Sequence, residues 1–177
     1  MTGPIVRRLD NAVHHGGPRI TDPSLIVWHT TDGDSAQSSI DYLNSTTDKV
    51  ASYTYIIDRD GTIFRMTPVE LVAYHAGDSA WPNPIPATRE NPDRPNGGHS
   101  INRLSLGIAW ANKGEPLTIQ QKASGLWLAK IYCTRYGLTA SQMIGHYECS
   151  PGRKTDPQPA MEMNSWRNMV RSHVGTA

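Results

Sequence analysis

The run Leu25-Ile26-Val27-Trp28 is apolar at every position and gives way at once to His29-Thr30-Thr31-Asp32-Gly33. A segment this short and uniformly apolar suits a strand buried on both faces, in the middle of a sheet covered by other layers. It also ends on an imidazole, and a His at the end of a core strand stands where ligands and metals are usually met. Leu104-Ser105-Leu106-Gly107-Ile108-Ala109-Trp110 is a second run of this kind, with Leu104, Leu106 and Ile108 expected on one face. Tyr53–Asp58 and Thr62–Met66 flank Arg59-Asp60-Gly61, which predicts a β-hairpin. Alternation places Tyr53, Tyr55 and Ile57 on one face of its first strand, with Thr54 and Ile56 on the other.

Helices are expected between these strands. Asp34, with Gln37 three residues on, forms a capping box, and Ile40, Leu43 and Ala36 supply the buried side. Thr118 and Gln121 form a second box, opening a helix that runs to Gly137. Ile119, Ala123, Leu126, Trp127, Lys130 and Ile131 mark its packing face by their 3.6-residue period. A last helix is expected near Ser165–His173. Residues 1–23, with Gly16-Gly17-Pro18 and Asp22-Pro23, read as an N-terminal arm with His14 and His15 on the surface. Residues 24–177 form the domain proper.

A chain of 177 residues suits one domain with a full core. Its formal net charge of +1 gives no reason to expect a nucleic-acid partner. No apolar run approaches a membrane span, and Met1–Arg8 lacks the apolar segment of a secretory signal peptide. Synthesis in the cytoplasm is therefore expected. With two cysteines, Cys133 and Cys149, free thiols are expected rather than a disulfide. Residues 76–101 carry five prolines and few aliphatics, and read as an ordered loop at the rim of a cleft. Trp81 is a candidate substrate contact there, or else packs inward.

The most chemically dense stretch is Gly145-His146-Tyr147-Glu148-Cys149-Ser150-Pro151-Gly152-Arg153-Lys154-Thr155-Asp156-Pro157. Pro and Gly make regular structure after Cys149 unfavourable. His146 is expected to end a strand, Met143–His146, with a rigid loop curling so that Asp156 returns beside it. On residue type alone His146, Glu148, Cys149 and Asp156 are all possible metal ligands. His29, His146 and Asp156 together would leave a fourth position open, the arrangement of a catalytic zinc site. Lys154 would then be placed to meet a developing oxyanion, and Tyr53 could offer its hydroxyl to a metal-bound water. Each residue also has an ordinary structural reading: Asp156 as a turn cap, Lys154 and Arg153 as solvated loop charges.

Five ordered motifs then carry a resemblance over roughly residues 24–160. They are Ile26–Thr31, Ser52–Thr62, Ala73-Tyr74-His75-Ala76-Gly77, Asn102–Ile108, and Gly145-His146 through Lys154-Thr155-Asp156-Pro157. Together they are similar to the zinc-dependent N-acetylmuramoyl-L-alanine amidases of the type-2 family. That family includes phage endolysins and is related to the peptidoglycan recognition proteins. The resemblance implies a single α/β (α+β) domain, with a mixed central sheet of five or six strands flanked by helices. It implies Zn2+ held by His29, His146 and Asp156, with Lys154 stabilising the oxyanion and Tyr53 near the metal water. His75 and Asn102 would line the substrate cleft, although His75 has a second reading as a buried residue holding the loop after it. Some members carry a catalytic Glu where this chain has Ala109; recycling amidases tend to use that Glu. Members with a Cys ligand place it where Asp156 stands, so Cys149 is expected to pack in the core. The expected substrate is peptidoglycan, cut between N-acetylmuramic acid and L-alanine by a monomeric, phage endolysin-like enzyme acting on the cell wall. A cytosolic muropeptide-recycling amidase and a non-catalytic peptidoglycan-binding protein are the alternatives.

Overall fold

The structure is a computed structural model that describes residues 3–48, 50–80 and 100–174. Its centre is a six-stranded mixed sheet in the order β1-β5-β4-β7-β3-β8. The strands are β1 (Val6–Arg8), β3 (Leu25–Thr30), β4 (Tyr55–Ile57), β5 (Ile63–Arg65), β7 (Ser105–Trp110) and β8 (Met143–Gly145). β2 (His15–Pro18) and β6 (Leu71–Ala73) form a separate antiparallel pair. β4, β7, β3 and β8 run parallel to one another, and β5 is the antiparallel return of the hairpin. Every residue of β3 and β7 is buried, as their unbroken apolar character requires. The N-terminal arm belongs to the framework, because β1 pairs with β5 and forms one edge of the sheet.

Alternation along β3 and β7 divides the interior. Ile26 and Trp28, with Leu106, Ile108 and Trp110, face a large core closed by α2 (Ile119–Tyr136) and α4 (Met163–Val174). Trp28 and Trp110 stack at 4.5 Å, and Trp166 of α4 meets them edge-on at 4.8 and 5.2 Å. The opposite face holds two smaller clusters. Leu25 and Val27 pack with Ala76, Ile101, Ile144 and Cys149, while α1 (Ala36–Ser45) lays Ala36 and Ile40 on Ile56, Phe64 and Ala109. Among the described residues no helix is long and apolar enough to cross a membrane.

Several local expectations are corrected. The α1 cap is Ser35, not Asp34: Ser35 accepts from Ser38 N–H at 3.1 Å, while Asp34 pairs with Lys113. In α2 the predicted cap at Thr118 and the left-handed Gly137 are found, but the buried face is rotated from the expected one. Ile119 is 82% exposed and Lys130 is exposed, whereas Gln121, Ser124, Gly125, Leu128 and Tyr132 are buried. Hydrogen bonding explains this: Gln121 donates to the Ile57 and Ala111 carbonyls and Ser124 to Gly61, so polar side chains secure the helix to strand and turn ends. Leu104 lies in a 3-10 turn, Ile101–Leu104, and the apolar face of β7 is Leu106, Ile108 and Trp110. The chain bends before β4, so Tyr53 packs with Ile56 and Phe64 instead of sharing the face of Tyr55 and Ile57. β8 stops at Gly145, and His146 opens a short helix, α3 (His146–Cys149).

Gly125 lets α2 approach the tryptophan cluster. A Cβ there would lie 2.9 Å from Trp166 and 3.4 Å from Trp110. Gly125→Val should therefore cost about 1–3 kcal/mol through overpacking, read as a lower urea midpoint by tryptophan fluorescence. An unchanged midpoint would show that α4 is not held this tightly.

Candidate metal centre

His29 is the penultimate residue of β3, and His146 directly follows β8, its parallel neighbour. Their side chains therefore start from corresponding ends of two adjacent core strands, where α/β sheets commonly bind ligands. The loop after α3 returns as anticipated: Tyr147 N–H donates to the Asp156 carbonyl at 3.0 Å, which brings the Asp156 carboxylate beside both rings. His29 Nδ1 lies 3.1 Å from His146 Nδ1 and 3.1 Å from Asp156 Oδ2. His146 Nδ1 is 3.1 Å from Asp156 Oδ1. A tetrahedral zinc ion with bonds near 2.0 Å would separate its ligand atoms by roughly 3.3 Å.

The hydrogen bonds made by the other ring nitrogens test whether this set suits a metal. His146 Nε2 sits 3.1 Å from the Ala76 carbonyl, which can only accept, so Nε2 carries the proton and Nδ1 of the neutral ring presents a lone pair. His29 Nε2 is likewise engaged, at 3.1 Å from His75 Nδ1. Burial, and next the charge of His146, push the His29 imidazole down to about 4, so the neutral ring prevails near pH 7. Asp156 adds a carboxylate whose oxygens lie 3.1 Å from both Nδ1 atoms. Two lone pairs and a carboxylate thus converge in a buried corner, a set that fits a cation.

The remaining residues separate by position. The Tyr53 ring lies 5.1 Å from the His29 ring. Burial first, then the Asp156 and Asp32 charges, raise its hydroxyl well above the ordinary tyrosine value. It is accordingly a proton-bearing donor, not a base. Lys154 is exposed, makes no ion pair among the described residues, and its charge is felt at His29. Ala109 faces His29 in the β3–β7 register, so that position supplies no carboxylate.

His75 and Asn102, expected to line a cleft, are buried at 7% and 4% exposure. His75 lies behind His29, and Asn102 Oδ1 accepts from the backbone N–H groups of His75 and Ala76. The His75 ring thus stands behind a candidate ligand, and the Asn102 side chain fastens the backbone of its segment. Trp81 lies outside the described residues. Cys149 is fully buried, its Sγ–H points to the His146 carbonyl at 3.3 Å, and burial pushes its thiol up to about 11. Glu148 is engaged by Arg167 at 3.0 Å and by Gly145 N–H at 2.7 Å. Both cysteines are free.

Sequence reasoning missed Arg153, Ser105 and Gly107. Arg153 Nη2 donates to the Ala76 and Asp78 carbonyls and to Ser150 Oγ, clasping the segment after His75 to the ligand loop. The Ser105-x-Gly107-x-Ala109 spacing carried a readable signal: small residues at period two on a buried strand leave room for something large above them.

Sheet and site define an α/β domain with a three-point candidate metal centre at the ends of parallel strands. The family model described as N-acetylmuramoyl-L-alanine amidase matches residues 19–159, and the chain belongs to that family. It is 30% identical over 178 residues to the N-acetylmuramoyl-L-alanine amidase AmiD of Escherichia coli, covering 89% of this chain and 55% of that protein. It is 27% identical to the 1,6-anhydro-N-acetylmuramyl-L-alanine amidase AmpD of Citrobacter freundii, over 93% of this chain and 89% of the relative. The chain spans about half the length of AmiD and most of that AmpD. Among solved structures, an AmpD derivative superposes with a TM-score of 0.72 at 27% identity, covering 93% of this chain and 94% of the other. A Bacillus subtilis mutant endolysin superposes with a TM-score of 0.69 at 20% identity, over 94% and 99% of the two chains, a likeness of fold.

If Cys149 only packs, Cys149→Ala should keep one zinc per chain by elemental analysis, with a stability loss of about 1 kcal/mol. Loss of the metal in that variant would return the thiol to the ligand set.

Proposed function

We propose that the protein is a zinc-dependent amidase that hydrolyses the bond between N-acetylmuramic acid and the L-alanine of the stem peptide. One observation carries this reading: the convergence of His29, His146 and Asp156 acceptors at 3.1 Å in a member of the amidase family. His29 and His146 through Nδ1, with Asp156, would hold the metal. Zinc in such a site supplies Lewis acidity, lowering the pKa of a coordinated water and polarising a carbonyl. Lys154 brings a fixed ammonium for the oxygen that gains charge as the amide carbonyl is attacked. Tyr53 keeps its proton and donates a hydrogen bond that orients the attacking water. With their Nδ1 lone pairs turned to the metal position and their Nε2 atoms engaged behind it, neither His29 nor His146 would be available to take the nucleophile's proton.

The preferred biological substrate is proposed to be wall peptidoglycan, in keeping with an endolysin-like role and with Ala109 in place of a carboxylate. The near-complete mutual coverage with the Citrobacter anhydromuropeptide amidase favours a second reading, in which the substrate is a soluble anhydromuropeptide. Comparing rates on intact sacculi and on soluble 1,6-anhydromuropeptide separates the two.

Purified protein should release stem peptide from muropeptide and lose that activity on chelation and in Asp156→Ala. Lys154→Ala should bind zinc normally and lower kcat by roughly 10²–10³-fold with little change in KM. Muropeptide binding without any hydrolysis by the zinc-loaded protein would leave a binding protein instead, and hydrolysis indifferent to chelation would sink the metal mechanism.

A further inference from the structure

We propose that Ser105 and His75 form a neutral hydrogen-bond relay that fixes the tautomer of His29 and aims its Nδ1 lone pair at the metal position. The inference rests on the metal-binding reading of His29 and assigns positioning roles to two residues behind it.

The direction of the relay follows from its far end. Ser105 Oγ lies 2.6 Å from the Ile101 carbonyl, which can only accept, so the hydroxyl proton is committed there. Ser105 Oγ then accepts from His75 Nε2, 3.1 Å away. With its proton on Nε2, neutral His75 presents a lone pair at Nδ1, and that atom accepts from His29 Nε2–H at 3.1 Å. His29 Nδ1 is left bare and faces His146 and Asp156. Each link allows one proton placement, so a backbone carbonyl two side chains away selects the tautomer of a ligand.

The seat for this relay is built into β7. Ser105, Gly107 and Ala109 share the face opposite the tryptophan cluster, and a Cβ on Gly107 would overlap the His75 ring. Asn102 Oδ1 holds the backbone of His75 and Ala76 at 3.2 and 2.8 Å, which fixes where the ring starts. A metal-binding His commonly donates its second N–H to a carboxylate, a carbonyl or water. His146 uses the Ala76 carbonyl directly, whereas His29 reaches the Ile101 carbonyl through two side chains.

The test uses His75→Ala, Ser105→Ala and His75→Gln. The glutamine amide can accept from His29 and donate to Ser105 at once, so it should restore what alanine removes. Ring 15N NMR of the metal-free protein should show His29 as the Nε2–H tautomer in wild type and His75→Gln, and a mixture with Nδ1–H in both alanine variants. Zinc affinity by chelator competition should fall about 10–100-fold in His75→Ala and return to within a few-fold of wild type in His75→Gln. Thermal melts of the metal-free proteins separate these effects from unfolding; if His75→Ala does not fold, Ser105→Ala and His75→Gln still decide the matter. An unaltered tautomer in Ser105→Ala, or Nδ1–H in wild type, overturns the relay. Failure of wild type to bind zinc would instead overturn the metal reading, while the NMR result would still judge the relay.

Discussion

Two imidazole lone pairs and a carboxylate held about 3 Å apart repel one another until a positive charge stands among them, and burial deprives them of water that would soften the repulsion. The fold around the site is arranged to hold that unfavourable cluster. β3 and β8 run parallel and adjacent, so His29 and His146 cannot separate without stripping the edge strand β8 from the sheet. The Tyr147–Asp156 backbone bond returns the loop, and Arg153 clasps the segment after His75 to it. The tryptophan core on the other face makes the sheet a rigid base. Catalysis of the proposed kind needs ligands fixed before the metal arrives, and the resistance comes from these contacts.

The ligand set gains meaning from its neighbours. Four residues within Gly145–Pro157 had the chemistry to bind a metal, and the structure gives each a distinct occupation. His146 and Asp156 face His29; Glu148 is held by Arg167 and a backbone N–H; Cys149 is turned into the cluster with Val27 and Ile144. Membership of the amidase family agrees with this division without itself assigning the roles.

Much of the framework was legible because it rests on local pattern. The apolar runs of β3 and β7, the Asp60-Gly61 hairpin and the Thr118–Gln121 capping box each depend on a few adjacent residues, and each appears where expected. The misplacements share a cause in distant partners. Periodicity placed Leu126, Trp127 and Ile131 of α2 on the core side but also pointed Ile119, Ala123 and Lys130 inward, whereas Gln121 and Ser124 are buried to serve carbonyls of strand and turn ends, which no helical wheel displays. Tyr53 left its predicted face because a bend precedes the strand. His75 and Asn102 were legible as important and illegible as to direction, since their partners, His29, Ser105 and the Ala76 backbone, are brought to them by the tertiary fold.

Charge accounting at the centre has a consequence of its own. Among the described residues, Asp156 supplies the only formal negative charge in the triad, and the supports behind both histidines end on uncharged backbone carbonyls. A divalent ion held there would be incompletely neutralised, with a net charge of +1. Histidines backed by carbonyls are weaker electron donors than histidines backed by carboxylates, which would leave the ion more electron-poor still. With Ala109 opposite His29 and no carboxylate at that position, the residual electrophilicity of a bound ion would be the means of acidifying a water near neutral pH.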